Sequence, residues 1–398
     1  MNLVESNLKQ AIFFHDHKIY KKEDSLLSRG GLSPLILQEY RTRFDGLTIC
    51  SRELKSPPKN HVVLASEGIN HVVFPDVLGK DLFQFRKAYK IVKTILQNEP
   101  FIIVRLPSIS GLFACWLSRK SKENLIIEVV GCSFDSYWNY GNLKGKLLAP
   151  IMYLAMRYFV SKGENVSYVT KEFLQQRYPT KAKNMLSVSD VTINIDEQVI
   201  VKRINRFQKL QLNHINLGMI GNYEISYKGY DVAFKALHLL ESMNPGRYSL
   251  SLVGGGNDKN LRQMVSKLGL DDCVYFLGVK SYPQGILNWL DEIDIFLQPS
   301  KVEGLPRALI EALSRGCAAL GSPVGGIPEL LHSEFLVKPN DFKRLAKLID
   351  RLSVKSKLID VSKQNFNHAR NYDIKKLSEL RSNFYTQVNS FDTQHKTF

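Results

Sequence analysis

The stretch from Gln298 to Leu331, QPSKVEGLPRALIEALSRGCAALGSPVGGIPELL, restricts the fold more than any other part of the chain. Its breakers and apolar residues admit one order of elements. Ile293–Leu297 is an apolar run closed by Pro299 and Ser300, which reads as a buried strand. Glu303-Gly304-Leu305 then makes a loop, and Pro306 suits the first position of a helix whose apolar stripe is Ala308, Leu309, Ala312 and Leu313. Gly316 ends that helix, Cys317–Leu320 reads as the next buried strand, and Gly321–Gly326 as a second glycine-rich loop before another helix start at Pro328-Glu329. The unit is strand, loop, helix, strand.

A helix N-terminus exposes unpaired amides and a partial positive charge, so the turn at Gly304–Arg307 is a seat for a diphosphate, and Gly304 permits close backbone approach. Glu311 lies off the apolar stripe, about 7.5 Å down the axis from Pro306. That position suits a carboxylate accepting hydrogen bonds from ribose hydroxyls. Glu303, in the loop, faces whatever hangs beyond the phosphates. Spacing alone does not separate this reading from two solvated glutamates.

Order and context do. PS-x2-EG-x6-E-A-x3-G followed by GG-x-PE resembles the Glu-x7-Glu signature of retaining GT-B glycosyltransferases of family 4. The resemblance implies an α/β chain of two Rossmann-like domains facing a central cleft, with a C-terminal helix crossing back to the first domain. It also implies a transferase that needs no metal or other cofactor and uses a UDP- or GDP-sugar donor. Carried onto this sequence, Glu311 holds the nucleotide ribose, Glu303 contacts the donor sugar, and Gly304, Leu305 and Pro306 bind the diphosphate. Lys228-Gly229, before the amphipathic stripe Val232, Ala233, Ala236, Leu237 and Leu240, resembles the family's K-G element, whose lysine neutralises the donor diphosphate. Gly278-Val279-Lys280 aligns with its base-contacting loop, with Gly278 and Val279 as the expected contacts. Many members carry an arginine after the first glycine of the second domain; Met219 stands here, so one cationic partner is either missing or supplied from elsewhere, with Arg203 and Arg206 as the candidates.

At 398 residues the chain is long for one core. The expected division is an N-terminal domain over 1–205 on the acceptor side, a nucleotide-sugar-binding domain over 206–370, and a returning helix over 371–398. No segment reaches the uninterrupted apolar length of a membrane span, and the first residues lack the basic-then-apolar order of a signal peptide, so a cytoplasmic location is expected. Five cysteines without any C-x-x-C read as reduced core thiols. The net charge of +16 is shared by the two halves and makes no tail. It suits an anionic membrane surface better than nucleic acid.

Along the first half, strands are expected at Ala11–Phe14, Leu47–Cys50, His61–Leu64, His71–Phe74, Phe101–Arg105 and Leu125–Val130, with helices over 82–97 and 111–120. His15, Asp16 and His17 read either as cleft residues or as a polar loop. Gly30-Gly31 opens a helix; the pair is either a plain turn or, as the resemblance implies, part of a loop over the donor diphosphate. GCSFDSYWNYG reads as an aromatic loop in which Asp135, with Trp138 and Tyr140, is the candidate for a catalytic, carbohydrate-facing role. The family often has a histidine near this point, and none stands here. Leu143–Val160 is either a core helix or an amphipathic segment lying on a membrane. Thr170 caps a helix after the strand expected to complete the first sheet. Asp291, Glu292 and Asp294 are not expected to hold a metal.

RLPS, EVVGCSFDSYWN and YVTKEFLQQRYP further resemble transferases that build capsule, exopolysaccharide or O-antigen units on a lipid diphosphate. The expected reaction is transfer of a hexose-type sugar to a lipid-linked saccharide, with peripheral contact at the inner membrane face and no nucleic acid. The alternatives are a GT-B sugar-nucleotide epimerase, which needs further acid–base groups, and a non-catalytic basic membrane or nucleic-acid binding protein, which for nucleic acid needs a basic stripe with stacking aromatics.

Overall fold

The computed structural model describes residues 10–394 apart from 30, 31, 33, 59–61, 66–67, 78–81, 99–100, 120–123, 139–142 and 210–212. Gly30, Gly31 and Tyr140 fall outside the described residues. The chain forms two compact units, Met1–Asp190 with Ser378–Phe398, and Val191–Leu377.

The first unit opens with β1 (Gln10–Lys22), which turns through Glu23 at φ 51° into β2 (Ser25–Ser28). The expected strand stopped at Phe14. It continues because a register shift between Phe14 and Lys18 re-aims the chain, and Ile19, Leu26 and Leu27 are then buried in the hairpin. There follow α1 (Pro34–Arg41), β3 (Gly46–Glu53), β4 (Val62–Ala65), β5 (Ile69–Val73), α2 (Leu82–Ile95), β6 (Phe101–Leu106), α3 (Ile109–Leu117) and β7 (Leu125–Val129). The rest is α4 (Ser133–Trp138), α5 (Leu143–Lys162), β8 (Asn165–Tyr168), α6 (Phe173–Arg177) and β9 (Asn184–Ser187). β5, β3, the first half of β1, β6, β7, β8 and β9 pair in parallel, while β2 and β4 extend the second half of β1 antiparallel.

Successive residues of β1 serve opposite faces of this sheet. Ile12 and Phe14 join Ala88, Phe113 and Met156 of the helix layer α2, α3 and α5, whereas Ala11 and Phe13 join Leu37 and Tyr40 of α1. Thr170 accepts from the Leu174 amide at 3.0 Å, as its place before α6 predicts. Two expectations need correction. β8 does not complete the sheet, because β9 lies outside it; β9 is short and only half-buried, and Asn184 ties it to Asn165 at 2.7 Å, so its sequence has no apolar run to announce it. The segment read as an aromatic loop is the one-and-a-half-turn α4, held by Phe134 stacking on Trp138 four residues on, with centroids 5.2 Å apart.

The second unit contains α7 (Glu197–Lys209), β10 (Ile215–Ile220), α8 (Tyr230–Met243), β11 (Tyr248–Val253), α9 (Lys259–Lys267), β12 (Val274–Phe276) and α10 (Gln284–Glu292). β13 (Ile295–Gln298), α11 (Arg307–Ser314), β14 (Ala318–Gly321), α12 (Phe342–Leu352) and α13 (Lys355–Ala369) complete it. Its five strands are all parallel, in the order β12-β11-β10-β13-β14. The division falls after Asp190 and not after residue 205. α7 belongs wholly to this unit, because buried Arg203 donates to the carbonyls of Leu290, Ile293 and Arg315.

The last helix, α14 (Ile374–Gln394), returns to the first unit from Ser378 on. Phe384, Tyr385 and Val388 enter the core beneath α1, and Arg381 pairs with Glu39 at 3.0 Å. Half-buried Glu128 accepts from Tyr40 at 2.7 Å, from Tyr385 at 3.2 Å and from Arg105 at 3.2 Å. Arg105 is also paired with Asp190, so a buried cation has two carboxylate partners.

Candidate active site

From β10 the second sheet grows in two directions, to β11 on one side and to β13 on the other. Loops leaving the carboxyl ends of β10 and β13 therefore diverge and leave a crevice between them. The loop after β10 runs through Gly221 and Asn222 to Lys228, and the loop after β13 from Pro299 to Pro306. They touch at Gly229. This residue has φ +80°, and a Cβ there would stand 2.1 Å from the Pro299 carbonyl oxygen, so no other residue fits without parting the loops. The Lys301 amide also donates to the Tyr227 carbonyl at 2.7 Å. Gly325 and Gly326 hold the β13 loop from the far side: the Gly326 amide donates to the Gly304 carbonyl at 2.7 Å, and a Cβ on Gly325 would meet the Glu303 carbonyl at 2.1 Å.

This packing fixes Glu303. One of its carboxylate oxygens accepts from Lys228 Nζ at 2.7 Å, from Gln298 Nε2 at 2.7 Å and from Ser300 Oγ at 2.8 Å. Three donors on one oxygen leave the other carboxylate oxygen for a ligand, and the ammonium group keeps donors beyond the one it spends on Glu303. Buried Gln298 Oε1 has no hydrogen-bond partner among the described protein atoms.

Glu311 sits on α11, whose first residue is Arg307 with Pro306 as its cap; no side chain caps that end, so the first-turn amides remain open. The Glu311 carboxyl is buried, and burial raises it to about 7 against the opposing charge of Arg307 and a hydrogen bond from Tyr282. The Arg307 guanidinium stands over the Tyr282 ring, 5.8 Å from its centroid. Lys228, Glu303, Leu305, Pro306 and Glu311 all line a single cavity of about 490 Å³, a volume within the range of ordinary ligand sites. The structure thus brings Lys228, Glu303, Leu305, Pro306 and Glu311 to one cavity, whereas Gly278, Val279 and Gly304 are not among the residues that line it. From the β12 end Lys280 lines the cavity; Gly278 has φ +68° and Val279 is exposed.

Other expectations fare differently. Arg203 and Arg206 do not replace a cation at Met219: Arg203 is spent on three carbonyls and Arg206 is paired with Asp294, all in the segments that lead into β13 and β14, at the strand ends away from the cavity loops. Lys280 and Arg307 are the further cations that line the cavity. Asp291 pairs with Arg315 at 2.6 Å, and Asp294 also accepts from the Asn216 amide. In the first unit Asp135 lies in the first turn of α4, 3.5 Å from Arg177. Asp16 accepts from the amides of Ile109 and Ser110 and so caps α3, and burial first, then the Arg105 charge, lowers the neighbouring His15 to about 3, leaving it neutral. Sequence reasoning missed Asn222, Tyr282 and the Gln298 and Ser300 donors. Asn222 and Tyr282 have no spacing signal because they reach the cavity from loops distant in sequence, whereas Gln298 and Ser300 stand at the end of β13 and in the loop that carries Glu303, where only the folded turn shows that they donate to its carboxylate.

The model of the family described as glycosyl transferases group 1 matches residues 202–366, which contain this cavity. Protein CapJ of Staphylococcus aureus is 32% identical over 353 residues, 86% of each chain. The chain belongs to the group 1 glycosyl transferases. This group 1 enzyme is also 35% identical over 136 residues to the amylovoran biosynthesis glycosyltransferase AmsK of Erwinia amylovora, covering 32% of this chain and 33% of AmsK. The crystal structure of Anabaena HepE in complex with UDP and glucose superimposes with a TM-score of 0.67 at 17% identity, over 95% of this chain and all of that one. That likeness shows the fold, α/β of the GT-B kind.

Proposed function

We propose that the chain is a retaining transferase of family 4 that moves a hexose-type sugar from a UDP- or GDP-sugar to a saccharide acceptor carried on a lipid diphosphate, in surface-polysaccharide assembly. The observation that carries the donor half is the Lys228–Glu303 pair standing across the switch-point cavity from buried Glu311. In this reading Lys228 and the open amides of α11 hold the diphosphate, Glu311 the ribose hydroxyls, and the free oxygen of Glu303 the sugar hydroxyls. Gly278-Val279 contacts the base, Gly30-Gly31 covers the diphosphate, and Asp135 serves the acceptor saccharide. The reaction needs charge stabilisation and positioning more than a strong protein base, since the leaving diphosphate takes the acceptor proton. AmsK, by its printed name and its similarity, supports a product of the surface-polysaccharide kind.

A panel of sugar nucleotides, with release of UDP or GDP as readout, tests the reading and fixes the donor. Lipid-linked saccharide should be required for rapid release, the product should keep the donor's anomeric configuration by NMR, and EDTA should leave the rate unchanged. Inversion, or a rate that only an added divalent ion restores, would remove the retaining or the metal-independent half respectively.

A further inference from the structure

The helix layer α2, α3 and α5 covers one face of the first sheet, and its outer surface is unlike the rest of the molecule. Along α5 the side chains Leu143, Leu147, Ile151, Leu154 and Tyr158 are each between 59% and 75% exposed. Their spacing places them within an arc of about 80° on one side of the helix. The opposite side, with Ala149, Met152, Met156 and Val160, fills the core, so the helix is apolar on both sides. On α2, Phe83, Phe85 and Tyr89 are likewise exposed, and Trp116 of α3 lies between, packed on Phe113 and Tyr89 with ring centroids at 5.6 and 6.1 Å.

The charges of this layer have one sign. α2 carries Arg86, Lys87, Lys90 and Lys93, and α5 carries Lys144, Lys146, Arg157 and Lys162; neither helix nor α3 contains an aspartate or glutamate. Between α3 and α5 a recess of about 430 Å³ is lined by Trp116 and Tyr158 together with Arg119 and Lys162. Aliphatic and aromatic side chains that share their helices with cations and no acids match the boundary between acyl chains and anionic headgroups. A protein partner of ordinary composition would be expected to meet acids interspersed among the bases.

We propose that the outer surface of α2, α3 and α5 is the docking face for an anionic lipid bilayer, with the α5 stripe entering the acyl boundary and the bases of both helices on the headgroup phosphates. This assigns a surface and a partner independently of the transfer reaction. No helix among the described residues is long and apolar enough to cross a membrane, so the contact is made in the plane of the interface.

Sedimentation of the full chain with phosphatidylglycerol-containing vesicles tests it. Binding is expected at low salt, should fall as salt rises, and should be weak to phosphatidylcholine alone. Leu147→Ser/Ile151→Ser/Leu154→Ser should lower the partition coefficient at least about tenfold, and Lys87→Gln/Lys90→Gln about tenfold at low salt. All five positions are exposed, and thermal melting checks that each variant folds. Met243→Ser/Val354→Ser, exposed apolar positions of the second unit, should leave binding unchanged. Brominated lipids should quench tryptophan emission, and Trp116→Phe should remove part of that quenching, since Trp289 is buried. Equal vesicle binding by all variants, or no binding with self-association through this face in the ultracentrifuge, would overturn the proposal. Nucleotide release with a detergent-dispersed acceptor, followed in parallel, separates such an outcome from failure of the glycosyl-transfer reading.

Discussion

Glu311 is a buried carboxyl whose proton bears on folding and, in the proposed reading, on nucleotide binding. Its ordinary value near 4.5 is raised in the folded chain to about 7, so the unfolded state ionises first. Folding stability is therefore lost as pH rises from about 4.5 to about 7 and stays reduced above that range, by about 3 kcal/mol if the whole shift is realised. Glu311→Gln should accordingly stabilise the ligand-free protein at pH 8, by up to that amount, and hardly at all at pH 4.5. Denaturant titrations at the two values check the sign. If the carboxylate accepts ribose hydroxyls, nucleotide binding near pH 7 must release a proton. Calorimetry in two buffers of different ionisation enthalpy should see that proton with the native chain and lose it with Glu311→Gln. Lys228→Ala should weaken UDP about tenfold or more while changing uridine little, and should lower stability by about 1–3 kcal/mol because Glu303 is left without its charged partner. Adding Glu303→Gln should restore stability and not UDP affinity; recovery of both would move Lys228 away from the phosphates.

At the scale of elements, the cavity depends on two loops being in contact, and Gly229 is where they meet. Gly229→Ala puts a methyl group against the Pro299 carbonyl at a positive φ, so a loss of about 1–3 kcal/mol is expected, with weaker nucleotide binding because Lys228 is carried away from Glu303. A melting temperature and UDP affinity both equal to the native values would count against it. The same contacts explain what was legible beforehand. The elements from β13 to β14 could be read because prolines, glycines and apolar runs punctuate them locally, and the chain places Lys228, Glu303 and Glu311 around one cavity. The hairpin of β1 and β2, β9 and α4 were hidden, since a bulge, a strand without an apolar run and a stacked aromatic pair leave little periodic trace. Arg203 looked like a ligand cation in the sequence because nothing there reveals three carbonyls converging on it. Nor does an evenly shared charge excess reveal that α2 and α5 carry bases without acids.

For the molecule as a whole, the second unit holds the cavity of Lys228, Glu303 and Glu311 within its own sheet, and the first unit borrows its last core residues from α14. Ending the chain before Ser378 should therefore leave UDP binding within about twofold while the first unit loses the packing of Phe384, Tyr385 and Val388, at a cost of several kcal/mol. Limited proteolysis should cut the first unit of the truncated chain well before the second, and equal protection of both would refute the dependence. The order of synthesis gives this arrangement a further consequence. When the ribosome has delivered residues 10–190, the sheet face beneath α1 still lacks its cover, and Tyr40, Phe44 and Glu128 wait for partners that emerge only after the whole second unit. The first unit to be made is thus the last to close, so its uncovered face must survive the time of translation, and any fusion that delays or displaces α14 should tell first in the yield of soluble chain.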